Sequence, residues 1–560
     1  MSNSGKFFLF VLMGYCVFLL SDCTNNKKEP PEKDIVKQPA KLSERIHDDL
    51  EKLADNVRRN SGKISDTINL AYADLVDSIY EGNHFEPIWS KDDQWLPASD
   101  SLFSFIERSK NYGLFPSDYY YNSLAFIHRV FIADSIAKRN AALWARADVL
   151  LTDAFFKLVK DIKQGRLAYD STTLRTDTIL KREIFNNAFT NAQQSANIKA
   201  ILDSLEPKYK GYDSLRTYTK EFLAKASFTP YTYLVYPYKD SVAFFKLMEK
   251  RLHELGEIAP ETSNLDTLAF WKIFRKLQRK FELKETGRLS DRLVDHLNDT
   301  DWEKFKQIAV NLDRYKLLPD TLPQKRAWVN LPAFTLQIFD DDTLVFFSRV
   351  IVGNPQTRTP VLTSEISNFV TYPQWTVPYS IIFKEMLPKI RENVEFLNKE
   401  NLMVVDKNDS VLDPTTINWD KLNKNHFPYL IKQREGDDNS LGVIKFNFRN
   451  KYAVYMHDTN VRWMFGKPYR ALSHGCVRVK EWQKLADFLI KTDTVKFKPD
   501  SLRAWIARQE KHVISGFPKV PVFIRYFSCE GKDGKVKFYD DIYEEDRYLR
   551  EKYFLNKSVD

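Results

Sequence analysis

Hydrophobic and polar positions along this 560-residue chain change their period part-way. Leu42, Ile46, Leu50, Leu53 and Val57 recur every three or four residues, the spacing that places them on one face of a helix. Helical spacing continues to about residue 240 and includes the apolar run Ala147 to Phe156, which Asp153 interrupts before Gly165-Arg166. A carboxylate there is either a site residue or satisfied by a neighbouring backbone group or arginine; the second is expected, because an unpaired buried charge is costly. No chemistry is assigned to this region. From 241 to 300 a smaller helical unit follows, with the stripe Phe270, Phe274, Leu277 and Phe281, a Gly287 turn, and a Ser290 cap before Leu293, Val294 and Leu297. After about residue 325 the period becomes two. Thr335 to Phe339 and Leu344 to Val352 flank Asp340-Asp341-Asp342, which predicts a hairpin. Val443 to Phe448 alternates, with Ile444, Phe446 and Phe448 on one face, and Tyr452 to His457 returns after Arg449-Asn450. Val522 to Phe527 and Val536 to Tyr539, separated by Asp533-Gly534, read as a further hairpin. Between the strand groups, Phe383 to Leu441 is richer in Lys, Glu, Asn and Asp, as expected of an inserted subdomain or lid.

Composition narrows the class. With 43% hydrophobic residues and 84 basic against 75 acidic side chains, the chain is one of packed globular domains, and a net charge of +9 without a dense Lys/Arg stripe makes nucleic acid an unexpected partner. Lys6 precedes the apolar run Phe7 to Leu20, too short for the roughly 30 Å of a bilayer core but suited to a signal peptide. Leu20-Ser21-Asp22-Cys23 then resembles a bacterial lipoprotein cleavage site, departing from it at Asp22, where a small residue is usual. Lipidation at Cys23 is expected, with an unlipidated secreted protein as the alternative. The polar stretch Thr24 to Ala40, with Pro30, Pro31 and Pro39, reads as a disordered tether. Of four cysteines, Cys16 leaves with the signal and Cys23 is lipidated, so only Cys476 and Cys529 remain, which excludes a disulfide framework. Cys529, after an apolar strand, reads as a small buried thiol.

Candidate chemistry concentrates in Tyr455-Met456-His457-Asp458-Thr459 and Ser473-His474-Gly475-Cys476-Val477-Arg478-Val479. A thiol becomes a nucleophile when a base takes its proton, and a helix expected from Lys480 to Ile490 would bring its positive end near the thiolate. Gly475 permits a tight turn, and amides around His474 to Cys476 are candidates for holding an oxyanion. Zinc is not assigned, because an acidic ligand or second thiol at metal spacing is missing, and no cofactor is expected. A purely structural Cys/His pair remains open on these residues alone.

The string Ser-His-Gly-Cys-Val-Arg, with a histidine upstream at a strand end, resembles the signature of L,D-transpeptidases, enzymes that remodel bacterial peptidoglycan. The likeness extends through Val329 to Phe334, Val350 to Gly353, Thr359-Pro360 and Pro373 to Pro378, resumes at Tyr455 and runs to Tyr539-Asp540-Asp541-Ile542-Tyr543. Gln278, Gly287 and Leu297-Asn298 similarly resemble the ending of the three-helix peptidoglycan-binding module. The resemblance implies a multidomain α+β chain of the large subtype: signal peptide 1–22, lipidated Cys23 and tether 23–40, helical scaffold 41–240, peptidoglycan-binding-like module 241–300, linker 301–324, a mainly β catalytic domain 325–382 and 442–530, capping insertion 383–441, and a C-terminal hairpin and tail 531–560. It implies Cys476 as nucleophile and His457 as base, the ring being held by a backbone carbonyl, Thr459 or Asp458. Ser473, His474 and Gly475 would shape the site. Tyr455 and Arg478 match positions lining the family's site, with a structural ion pair as the alternative for Arg478, and Trp375 is either a platform for the stem peptide or a core aromatic. The implied reaction is acyl transfer from tetrapeptide stems of murein to a second stem, to water or to a lipoprotein, by a periplasmic enzyme held on a membrane through its lipid. A non-catalytic peptidoglycan-binding scaffold is the competing class, and no protein partner is indicated.

Overall fold

The computed structural model describes residues 35–167, 180–281, 283–491, 498–555 and 557. The expected signal peptide, Cys23 and the first part of the tether lie outside the described residues. The chain is a multidomain α+β protein, helical first and β-rich later. No helix among the described residues is long and apolar enough to cross a membrane.

Two compact units are distinguished. The first consists of the described parts of 1–96 with 123–152. Its helix Leu42–Arg59 buries Leu42, Ile46, Leu50 and Val57 as the spacing predicts, with Ala54 in place of the half-buried Leu53. The tether ends earlier than residue 40, since Ile35 bridges Asn140, Val36 donates to the Arg139 carbonyl at 2.9 Å and Pro39–Lys41 form a 3-10 turn. Around Trp144 pack Trp95 and Phe131, at ring distances of 4.5 and 4.2 Å. Buried Asp148 accepts from Tyr80 Oη at 2.6 Å and from the amides of Ile88 and Trp89 at 2.9 Å each. Burial pushes its carboxyl up to about 6 against those donors.

The second unit contains the rest. Asp153 is fully buried and accepts from Tyr120 Oη at 2.6 Å, so the run's odd carboxylate is satisfied by a phenol. Between 241 and 300 stand the helices Ser241–Glu254, Thr267–Lys280 and Asp291–Asn298, each capped by a side chain (Asp240, Asp266, Ser290) accepting an amide three residues on. Gln278 is a lock for the following turn: its Oε1 accepts from Gly287 N–H at 2.8 Å and its Nε2 donates to the Arg288 carbonyl at 2.8 Å.

The segment 301–324 is not a linker in structure. Its helix Asp301–Tyr315 is buried along Phe305, Ile308, Ala309, Val310 and Leu312 and packs against Phe115, Tyr212, Trp328, Phe523 and Leu549. The charged residues that make the sequence look exposed are paired inside: Lys306 on Glu303 at 2.8 Å, Lys316 on Asp313 at 2.9 Å, and Arg314 on Asp546. Burial raises the Asp313 carboxyl, but Arg166 and Lys316 override it and hold it near about 2.

The main sheet comprises β1 (Arg326–Asn330), β2 (Thr335–Asp340), β3 (Thr343–Gly353), β4 (Leu362–Thr371), β5 (Ile444–Phe448), β6 (Met456–His457), β7 (Ala471–Ser473), β8 (Val477–Val479) and β9 (Val513–Arg525). Their order is β7-β3-β8-β6-β5-β4-β9-β1-β2, and the expected β2–β3 hairpin pairing closes it into a barrel. Ile444, Phe446, Met456, Val477 and Val479 face its core. The hairpin expected between Val522 to Phe527 and Val536 to Tyr539 forms differently: β9 pairs with β1 and β4, while Cys529–Lys532 pairs with Lys535–Phe538 around the same Asp533-Gly534 turn. The expected tail contains the helix Glu545–Phe554, which buries Leu549 and Phe554.

The insertion has its own core and sheet. Strands Trp375–Thr376, Leu430–Gln433, Leu402–Val405 and Val411–Leu412 pair in that order, over a cluster that includes Val377, Ile382, Leu387, Val404 and Ile431. Its folded body therefore begins near Trp375, earlier than residue 383, because the first strand is too short to register as a period-two segment.

Candidate active site

Strand register assembles the site. β6 and β8 run parallel with His457 opposite Arg478, β5 runs antiparallel to β6 with Lys445 opposite His457, and Val477 N–H donates to the Tyr455 carbonyl at 3.0 Å. Because strand side chains alternate, Met456 and Val477 go to the core while Tyr455, His457, Cys476, Arg478 and Lys445 share the other face. Their rings and charges meet there: Tyr455 and His457 lie 5.6 Å apart between ring centroids, and Lys445 Nζ sits 4.1 Å over the Tyr455 ring.

The turn carrying Cys476 is tied from several sides. Ser473 is buried, and its Oγ donates to the Cys476 carbonyl at 2.6 Å while accepting from Gly475 N–H at 3.2 Å, which closes the turn around Gly475 at φ +118°. The Ser473 carbonyl accepts from Asn354 N–H at 2.8 Å and Thr357 Oγ1 at 3.1 Å. Thr359 Oγ1 donates to the Gly475 carbonyl at 2.8 Å and accepts from Gly353 N–H at 2.8 Å. Behind it, Tyr543 Oη donates to the Gly353 carbonyl at 2.7 Å and accepts from Thr359 N–H at 3.1 Å. The C-terminal segment thus braces the turn, a role sequence reasoning missed. The Gly475 amide is occupied; those of His474 and Cys476 meet no protein acceptor among the described residues and remain available to an oxyanion.

The expected helix after the turn begins at Trp482, and β8 intervenes, about 10 Å of extended chain. Its positive end is therefore not beside the thiol. Instead, burial pushes the Cys476 thiol up, opposed by Tyr455, Lys445 and Arg478. Part of its surface still reaches solvent, and Sγ lies 4.0 Å from the Ala453 carbonyl. Burial, with Arg478 and Lys445 adding in the same sense, lowers His457 to about 3, while backbone groups of Asp458 and Leu441 act against them. Burial thus favours the neutral form of both the thiol and the imidazole on this face.

Asp458 is not part of that pair. Its oxygens accept from Arg462 and from Val443 N–H, and Gly442 leaves room for it, since a Cβ there would meet Asp458 Oδ2 at 2.3 Å. His457 Nδ1 is buried with no partner meeting hydrogen-bond geometry. Thr459 Oγ1 accepts from Val461 N–H at 3.3 Å. Among the described residues Arg478 is in no ion pair, and its Nη1 lies 3.9 Å from Met464 Sδ. Trp375 packs partly buried on the insertion's core, as a core aromatic would, and its side chain acts on the Tyr455 hydroxyl as a hydrogen-bond partner. His474 is exposed, and its Nε2 meets Glu385 Oε1 of the insertion at 2.8 Å.

Residues 324–497 match the model of the L,D-transpeptidase catalytic domain, and 74–218 match that of the Scaffold domain. The chain carries an L,D-transpeptidase catalytic domain. A candidate L,D-transpeptidase of Haemophilus influenzae is 33% identical over 252 residues, which are 44% of this chain and 49% of that relative. The chain thus aligns with about half of that relative's length. Two solved structures, an avibactam carbamoyl enzyme named Ldtfm and an Enterococcus faecium L,D-transpeptidase mutant, are each 11% identical with a TM-score of 0.17 and cover 48% of this chain, and 83% and 85% of their own. No residue role follows from likeness that distant. Around the site, the sequence-based set lacks Lys445, Thr359 and Glu385, and Tyr543 from beyond the matched domain. Thr359 and Tyr543 lie in segments that carry the family likeness but were given no role there, and Lys445 had a legible signal as a cation on the polar face of an alternating strand.

Proposed function

We propose that this chain is a murein L,D-transpeptidase working through a thioester on Cys476. The observation that carries the reading is the shared face: a neutral imidazole on one strand and a thiol in the turn that leads into the adjacent parallel strand, beside two cations, within a matched transpeptidase domain. In the first step His457 takes the thiol proton as sulfur attacks the carbonyl of the third residue of a tetrapeptide stem. The C–N bond to the terminal D-Ala breaks, its nitrogen receives the proton from His457, and D-Ala leaves. In the second step a side-chain amine of a neighbouring stem attacks the thioester, His457 removes its proton, and the sulfur departs as thiol, leaving a cross-link between third residues. The amides of His474 and Cys476 would hold the oxyanion in both steps. Water as acceptor makes the same site a carboxypeptidase, and a lipoprotein amine makes it an anchoring enzyme. The helices of 241–300 supply a murein-binding surface in this reading, and an acylated Cys23 holds the enzyme on a membrane facing the periplasm.

Incubating the purified chain with disaccharide tetrapeptide tests it. Cross-linked dimer with loss of D-Ala is expected; tripeptide alone makes it a carboxypeptidase, and no product with no carbapenem adduct on Cys476 returns it to a binding scaffold. Labelling with a palmitate analogue that fails to mark Cys23 would remove the lipoprotein reading.

A further inference from the structure

Buried cations elsewhere among the described residues have acceptors to lie on: Lys306 and Arg550 on Glu303, Lys316 and Arg166 on Asp313, Arg314 on Asp546, and Arg525, without a carboxylate, on the Leu362 and Ile524 carbonyls and Thr363 Oγ1. The two beside Cys476 do not. Among the described residues neither Lys445 nor Arg478 has an ion-pair partner; Arg478 Nε is buried without any partner, and Lys445 rests over the Tyr455 ring. Two carboxylates around the site are committed elsewhere, Asp458 to Arg462 and Glu385 to His474. Register sets the two cations on opposite sides of one residue, since Lys445 and Arg478 are both Cα partners of His457. Holding two partly desolvated positive charges with no anion is unfavourable unless an anion arrives.

We infer that Lys445 and Arg478 together receive a carboxylate of the donor, bound next to the carbon that Cys476 attacks, and that Lys445 is a specificity-determining residue of the site. The inference rests on the thiol chemistry proposed above and names the donor class as an acid with its free carboxylate close to the reacting carbonyl, the position held by the carboxylate of a departing terminal amino acid. A guanidinium supplies a planar fork and an ammonium a movable point charge, a combination that accepts a carboxylate in more than one pose.

Two alkylating agents that differ in one carboxylate test it without any peptidoglycan. The full chain is treated at about pH 8 with iodoacetate or iodoacetamide, and carboxymethyl and carbamidomethyl Cys476 are followed by mass spectrometry; in both, the sulfur–carbon bond forms, iodide leaves and the thiol proton is lost to the buffer. The ratio of the two rates is compared with that of N-acetylcysteine amide, an unhindered thiol. The ratio at Cys476 is expected to exceed the reference by about tenfold, equivalent to one charge-assisted contact. K445M and R478M each lower it toward the reference, and K445R keeps most of it. A native ratio equal to the reference, or a K445M ratio equal to the native one, overturns the inference. Buried Cys529 stays unlabelled in folded protein and so certifies each variant; if K445M labels it, K445Q takes its place under the same criterion. A failed preference leaves the transpeptidase reading standing, and a chain inactive on stems still shows the preference if the receiver exists.

Discussion

Two thiols among the described residues sit in or beside β structure, Cys529 in a strand and Cys476 in a turn between two, and burial raises both above the ordinary cysteine range. Cys529 lies among Tyr212, Leu215, Tyr315 and Phe527, 3.9 Å from the Gln307 carbonyl, and the charges felt there after burial are led by Asp546, with Arg314 opposing but already bonded to that acid. Cys476 is surrounded by opposition to burial instead: a phenol, a lysine and an arginine, all favouring the thiolate, with an imidazole on the same face. The difference is in partners. Cations already paired leave a thiol inert, whereas unpaired cations and a path to solvent leave it able to react.

The widest test of that contrast removes each sulfur. Cys476→Ala is expected to abolish both carbapenem adduct and turnover, while Cys529→Ser leaves turnover within about twofold and lowers stability by roughly 1–3 kcal/mol through its buried hydroxyl. Equal activity in Cys476→Ala would place the chemistry elsewhere.

Next comes the base. His457→Ala should reduce turnover by about two orders of magnitude or more, the usual size of a lost general base. Asp458→Asn should cost far less in turnover and show mainly in stability, since its side chain serves Arg462 and Val443 N–H. An Asp458 effect as large as that of His457 would mean the carboxylate acts on the ring during the reaction.

The protonation states give a third, smaller effect. With His457 lowered to about 3 and the Cys476 thiol raised, iodoacetamide should alkylate Cys476 at a rate that climbs through the alkaline range, with no plateau between about pH 4 and 7. Such a plateau would reveal a thiolate–imidazolium pair. The same shift carries a stability sign. Between the ordinary histidine value of 6.5 and about 3, the unfolded chain binds a proton that the native ring refuses, so stability from this group is full above 6.5 and falls as pH drops through the window. Asp148, raised to about 6, acts in the opposite sense, so the comparison is wild type against His457→Gln, read as the difference in Tm across pH.

The contrast between the thiols also shows what the sequence discloses. Alternation along Val443 to Phe448 and the hairpin at Asp340 to Asp342 were legible because one face of each strand is core. Cys476 and His457 stood out because few residue types do their chemistry. Helix Asp301–Tyr315 was not legible: its charges are paired with residues as distant as Asp546, so burial on all sides reads locally as polarity. Tyr543 and Thr359 were hidden for a related reason, since both act through backbone carbonyls of the catalytic turn and nothing in their own spacing announces it.

The smallest expected effect concerns the insertion, whose one side-chain bond to the catalytic turn among the described residues joins Glu385 to His474. Both side chains are about half exposed, at 48% and 43%, so the pair contributes at most about 1 kcal/mol, enough to bias a closed arrangement but not to lock it. The insertion carries its own sheet and core, which lets it hold its shape whether or not that contact is made. If it shields the thioester, Glu385→Gln should leave carbapenem acylation of Cys476 within about twofold while shifting products from cross-link toward hydrolysed tripeptide by a few-fold, the span of about 1 kcal/mol. His474→Gln should shift them in the same direction. Replacing the whole insertion with a Gly/Ser linker should enlarge the shift, provided the deletion variant folds. An unchanged ratio in Glu385→Gln and in a folded deletion would make the insertion a brace for Trp375 and the strands beneath it, since a shield that can be removed without admitting water is not a shield.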